Sequence, residues 1–281
     1  SMHIYQTWQG TYYACFLMAL QPGIFGKYWL VPIILLGGLV LSTYTLGYTV
    51  LRRLLHISKL EYAFVSTLFV LMTVQFVWSF YDAFFWYNGA MYYTLYYSLS
   101  LFLASLLIEF HLTKSIMAKI IITLVSAALA IFIAGGNFVT GLGMPAILFM
   151  AIVWMWVERK KTPFFLISIL MIYACAFAFS VFTPGNAVRQ ATVTDQPNVV
   201  AAFFMAIGKS VEFLADAIGI MEVLMFTILI PFLARLAKAS RFKFSHPWLY
   251  LLISFLLYSA FFFPNSYAMG SRGANRVQNV Y

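Results

Sequence analysis

Three arginines offer the most chemistry in this sequence, and each lies in a short polar stretch beside long apolar runs. Arg189 closes "TPGNAVRQ" (183–190), while Arg272 and Arg276 fall in "GSRGANRVQNVY" (270–281). A guanidinium presents planar, multidentate donors that suit a phosphate. Pro184, Gly185 and Asn186 read as a tight turn leading to Arg189. Snorkelling of that arginine to ordinary lipid headgroups is the competing reading. In the last stretch Gly270 and Gly273 permit close backbone approach, and Asn275 and Asn279 add hydrogen-bonding groups. A further stretch, "YDAFFWYNGAMYY" (81–93), sets one carboxylate, Asp82, among Trp86, Tyr87, Asn88, Tyr92 and Tyr93. It reads either as an interfacial aromatic belt with a solvated acid or as a sugar-binding surface. In the second reading the rings stack on sugar C–H groups, Asn88 supplies hydrogen bonds and Asp82 acts as a base.

Other polar groups carry weaker signals. His3, His56, His111 and His246 are scattered without metal-ligand spacing. "GNFVTGLG" lacks the Gly-Lys-Ser/Thr ending of a phosphate loop. Asp216 and Glu222 lie in or beside an apolar run, where an acid is costly unless it faces the bundle interior or a wet cavity. Cys15 and Cys175 are too few for a disulfide framework and are expected at different depths, hence unpaired.

These groups must be positioned by a chain that is 63% hydrophobic and only 9% charged over 281 residues. A soluble domain carries about 25% charged residues, so composition implies an all-α, polytopic integral membrane protein. Apolar runs predict eight spans, at 28–50, 61–80, 93–110, 119–135, 144–157, 163–182, 217–236 and 247–263, within a single transmembrane domain over 1–281. The pair 119–135 and 144–157 is short enough to be a hairpin that dips into the bilayer without crossing it.

Connections 51–60, 111–119, 158–162 and 235–246 hold twelve of the seventeen Lys and Arg residues and recur at every second connection. The positive-inside rule places them in the cytoplasm. Loops 1–27, 81–92, 136–143, 183–216 and 264–281 are then expected outside. The net charge of +9 is accounted for by short membrane anchors that favour anionic lipids, not by a nucleic-acid surface. Two outer segments read as helices lying at the interface. One spans 3–26, with Trp8, Tyr12 and Tyr13 at headgroup depth. The other spans 198–215, with Val200, Phe203, Phe204, Ile207, Val211 and Leu214 on one face. Lys209 and Glu212 are spaced to pair there. Both termini come out external, so a further helix is expected upstream of Ser1 and the chain reads as a segment of a longer protein.

"TWQGTYYACFLMALQPGIFG", "FFWYNGAMYYTL", "TPGNAVRQ" and "GSRGANRVQNVY" together resemble a family of bacterial polytopic membrane proteins. In that family Trp-x-Gly, Tyr-x-x-Gly-Ala and Pro-Gly-Asn-x-x-Arg elements follow in this order, the second standing here as "WYNGA". The family in turn is similar to the GT-C class of membrane glycosyltransferases, which use polyprenyl-phosphate sugars as donors. The resemblance implies a bacterial plasma-membrane enzyme with an extracytoplasmic site, a cell-envelope glycan or lipid as acceptor, and basic residues on the donor phosphate. It assigns Trp8, Gly10, Asn186, Arg189, Arg272 and Arg276 to the matching motif positions. It also implies a carboxylate, Asp82 or an upstream acid, acting as base or as partner of a divalent cation. The acids that the family carries before its Trp-x-Gly element have no counterpart here. A transporter or flippase of lipid-linked sugars is the second expectation, and it would need a polar path or broken helices.

Overall fold

The computed structural model describes residues 2–193, 196–239 and 247–281, and these are helical or loop, with no strand among them. Helices α1 (Met2–Thr7) and α2 (Tyr12–Ala19) open the chain, and a short 3-10 turn at Pro22–Phe25 follows. Next come α3 (Leu30–Gly47), α4 (Lys59–Gln75), α5 (Phe80–Phe84) and α6 (Tyr87–Leu112), then α7 (Ile116–Ala134), α8 (Phe138–Arg159) and α9 (Phe164–Val181). The remainder is α10 (Pro184–Gln190), α11 (Val199–Ala217), α12 (Ile220–Ala239), α13 (Pro247–Ala260), α14 (Phe263–Met269) and α15 (Asn275–Gln278). All-helical structure is what hydrocarbon demands, because every backbone N–H and C=O must find its partner inside the segment.

Among the described residues, five helices are long and apolar enough to cross a membrane: α3 with its π-helical continuation to Leu54, and α6, α7, α8 and α9. The count rises to seven if two bent pairs each form one span. The chain is thus an all-α, multi-pass membrane protein. Of the eight expected spans, 61–80 is covered only by the 17-residue α4, which stops at Gln75 and leaves 80–84 to the separate α5. The dipping hairpin is not seen. α7 has 19 residues and α8 has 22, each spanning about 28 Å or more at 1.5 Å per residue. The signal missed there was Asn137, whose side chain accepts from Val139 N and Thr140 N and starts α8 six residues earlier than expected. Connection 235–246 lies largely outside the described residues, and Asp195 and His246 do so entirely.

The core of the bundle is a set of fully buried side chains where four helices meet: Tyr96 and Leu103 of α6, Ile133 of α7, Leu148 of α8, and Ile169 and Tyr173 of α9. Leu35 and Leu39 of α3 pack with Phe84 and Ala90 as a second centre. Lipid tails are as apolar as leucine, so shape and crossing hydrogen bonds must select these contacts. Thr49 and Ser105 join α3's extension to α6 at 2.7 Å, and Ser210 and Ser259 join α11 to α13 at 2.8 Å.

The segment expected to lie flat does turn aside, since α11 meets α12 at 88°. Ala202, Ala206, Ser210 and Phe213 face the bundle, while Val200, Phe203, Phe204 and Val211 stay exposed. The apolar stripe is therefore the exposed face, and the protein contact is made mainly by smaller residues. Lys209 and Glu212 pair at 2.9 Å as their spacing allowed. Both cysteines are free, as expected.

The loops expected outside all meet at one end of the bundle. Tyr13 N donates to Gly135 O at 3.0 Å, Asn137 Nδ2 to Tyr92 O at 2.8 Å, Gln190 Nε2 to Ala268 O at 3.3 Å, and Ser79 N to Asn279 Oδ1 at 2.7 Å. At the other end Arg53 pairs with Glu109 at 2.7 Å and Arg235 approaches Glu61 at 4.0 Å.

Gly185 shows how tightly the first end closes. A Cβ there would lie 2.6 Å from Tyr5 O, 2.7 Å from Trp8 N and 2.9 Å from Gln9 N. Gly185→Ala is expected to destabilise the purified protein by about 1–3 kcal/mol through this overpacking. Gly38→Ala, with nothing within 4 Å of its Cβ, is expected to leave thermal unfolding in detergent unchanged.

Candidate functional site

The site is built from three backbone junctions. The first joins α1 to α10. Pro184 occupies the first helical position, where its missing N–H is not needed, so "PGNAVRQ" is a helix and not the tight turn expected. Asn186 then uses its whole amide on backbone: Oδ1 accepts from Gly10 N at 3.0 Å, and Nδ2 donates to Ser180 O at 2.7 Å and Val181 O at 2.9 Å. Ser180 Oγ donates to Gly10 O at 3.0 Å. The Trp-x-Gly and Pro-Gly-Asn-x-x-Arg stretches are thus locked together. One helical turn beyond Asn186, Arg189 lies over the Trp8 ring, 5.2 Å from its centroid.

The second junction joins the last stretch to α5 and the start of α6. Asn279 accepts from Ser79 N at 2.7 Å and donates to Ser79 O at 3.0 Å. Gly270 and Gly273 take left-handed conformations with φ of 62° and 84°, which let the chain double back over α14. Tyr281 stacks on Phe262 with centroids 3.8 Å apart, and its hydroxyl donates to Arg272 O at 3.0 Å while accepting from Asn265 Nδ2. Burial in this corner pushes the Tyr281 phenol above the ordinary tyrosine range, partly offset by the Asn265 bond. Arg276 consequently rests over Trp86 at 5.2 Å.

The third junction seats α2 on α6. Tyr92 donates to Thr11 Oγ1 at 2.5 Å and lies 3.5 Å from Gln9 Oε1, and Tyr87 donates to Leu17 O at 2.5 Å. Tyr12 donates to Ile131 O at 2.9 Å, and burial together with neighbouring Tyr13 pushes its phenol up to about 12.

Together these junctions set Arg189 on Trp8 of the α1–α2 segment and Arg276 on Trp86, directly before α6, and both α2 and α15 pack on α6. Neither guanidinium has a carboxylate partner among the described residues, whereas Arg272 does: it pairs with Asp216 at 2.5 Å and lies 6.0 Å from the Trp78 ring centroid. The arrangement is two arginines, each braced on an indole and each free of a carboxylate among the described residues, so either can take an anion.

The expected site residues therefore separate. Arg189 comes together with Trp8, and Arg276 with Trp86. Arg272 is held in an ion pair, and Asn186 is committed to backbone. Tyr87 is buried with its hydroxyl bound, and Asn88 is exposed on the first turn of α6, since that helix begins inside the expected loop 81–92. Asp82 sits half-buried on α5, against which α15 packs, and its carboxylate has no hydrogen bond or ion pair among the described residues. Glu222 caps α12 by accepting from Gly219 N at 3.0 Å, so neither it nor Asp216 lines a wet interior. No three His, Cys, Asp or Glu side chains gather among the described residues. Gln9 and Thr11 were not foreseen as parts of the site, whereas Tyr93 and Asn279 were named only among the aromatic and hydrogen-bonding groups of their stretches.

Comparison of the chain with protein-family models, with curated proteins and with solved structures finds no significant match.

Asn186 and the arginine pair make opposite predictions. Asn186→Asp keeps the shape but turns a carboxylate onto Ser180 O and Val181 O. It is expected to cost about 2–4 kcal/mol, from two carbonyls left unpaired. Arg189→Ala and Arg276→Ala are expected to leave the melting temperature nearly unchanged. Circular dichroism melts of the purified variants in one detergent compare them directly.

Proposed function

We propose that the chain is a membrane glycosyltransferase of GT-C type, moving a sugar from a polyprenyl-phosphate donor to a cell-envelope glycan or lipid at the extracytoplasmic face. The observation that carries this reading is the arginine pair. Arg189 and Arg276 are braced on Trp8 and Trp86 at 5.2 Å each, without carboxylate partners among the described residues, on the end of the bundle opposite the basic connections. Positive-inside bias puts the basic end in the cytoplasm and the arginine pair outside.

The chemistry follows from charge. An acceptor hydroxyl oxygen attacks the anomeric carbon, and the bond from that carbon to the phosphate oxygen breaks. The phosphate leaves with the electron pair, and Asp82 takes the hydroxyl proton. Negative charge grows on the leaving phosphate, where preorganised guanidinium groups stabilise it more in the transition state than in the ground state. The exposed Asn88 and the half-buried Trp86 give the sugar a polar contact and a stacking face beside that phosphate.

A transporter of lipid-linked sugars is the second reading. It draws on the two bent helix pairs, at 88° and 41°, because broken helices are a common transporter device.

The test uses inner-face-sealed membrane vesicles and a radiolabelled polyprenyl-phosphate sugar. Arg189→Ala, Arg276→Ala and Asp82→Asn are each expected to lower transfer by roughly 100-fold or more, with Lys209→Ala near wild type. Wild-type turnover in both arginine variants would sink the assignment. Movement of labelled lipid across the vesicle without transfer would favour the transporter.

A further inference from the structure

A cavity of about 620 Å³ opens on the flank of the bundle between α7 and α9, closed at one end by α2. That volume falls within the range of about 300–1,000 Å³ usual for ligand sites. Its wall includes Tyr12, Tyr13, Ile131, Met171, Cys175 and Phe179. Met171, Cys175 and Phe179 are exposed, so the mouth faces the region that acyl chains occupy. The Tyr12 hydroxyl is tied to Ile131 O, which leaves the ring as the surface offered and the groove dry.

The groove does not end at α2. Phe179 stacks on Tyr5 of α1 with centroids 5.5 Å apart and meets Tyr12 edge-on at the same distance. The same α1 leads into Trp8, on which Arg189 lies. One wall therefore runs from an apolar groove at the depth of α7 and α9 to an exposed guanidinium with no carboxylate partner among the described residues.

A hydrocarbon chain that enters this groove from the bilayer exchanges one apolar surrounding for another, so burial itself selects nothing. Selection has to come from the head. A phosphate on Arg189 forms charge-assisted hydrogen bonds at the edge of a low-dielectric region, where they are stronger than in water. Shape then fixes where the attached chain lies.

We propose that the groove between α7 and α9 holds one hydrocarbon chain of a phosphate-headed, anionic membrane lipid whose headgroup rests on Arg189. This rests on the reading of Arg189 as a phosphate ligand, and it adds the route by which such a lipid enters, sideways from the bilayer beneath α2.

The full chain, reconstituted in phosphatidylcholine vesicles, is irradiated with a phosphatidic acid bearing a diazirine at the end of one acyl chain. Label is then mapped by mass spectrometry. It is expected to concentrate on 171–179. Excess unlabelled phosphatidic acid should suppress it several-fold, and diacylglycerol should not. Arg189→Ala should reduce it about 10-fold, the loss expected for one charge-assisted contact, while Lys209→Ala leaves it intact. Label spread equally over the lipid-facing residues 221–226 of α12 would overturn the proposal, as would groove labelling insensitive to Arg189→Ala. The outcome is separable from the enzymatic reading because no sugar is involved. Groove labelling as expected, with no sugar transfer, removes the glycosyltransferase and keeps the lipid site. Arginine-dependent transfer with labelling elsewhere removes only the groove.

Discussion

The amide of Asn186 is the constraint on which this end of the molecule depends. It accepts from Gly10 and donates to two carbonyls at the close of α9, so one side chain fixes where α1 arrives and where α10 departs. The glycines on either side follow from it. Gly185 must be bare because α1 backbone lies against it, and Gly10 must be bare because Ser180 and Thr183 occupy its side-chain position. Once that junction is made, Trp8 and Arg189 have no choice but to meet. In a bilayer such directional bonds matter more than in water, since apolar contact between helices does not outcompete apolar contact with lipid.

The same logic explains the second arginine. Asn279 grips both polar groups of the Ser79 backbone, and Tyr281 anchors the turn through Arg272 O and Asn265. Arg276 is thereby carried to Trp86. An indole face holds a guanidinium without neutralising it, as Asp216 does for Arg272. The contrast between Arg272 and Arg276, four residues apart, separates an arginine that ties helices together from one that remains electrostatically available.

Much of the fold could be read from composition and apolar runs. Hydropathy locates α3, α7, α9 and α13 to within a few residues but starts α6 six residues late, and the loops expected outside do meet at one end. Local side-chain chemistry was harder to read. Asn137 and Pro184 each begin a helix where a loop was expected, because a cap acts through its geometry and not through hydrophobicity. The site was half legible. Arg189 and Trp8 were each singled out in the sequence, but nothing in "TWQG" announces its junction with a stretch about 175 residues later. Arg272 and Arg276 looked equivalent because a sequence does not show that Asp216 reaches one and not the other.

The arginine pair draws its members from α10 and α15, with braces from the end of α1 and the start of α6. α15 follows every apolar helix described and is therefore the last of them to leave the ribosome. A chain made only as far as α14 contains the Trp8–Arg189 half but leaves Trp86 uncovered. The two indole-braced arginines are therefore both in place only after the described apolar helices have been made.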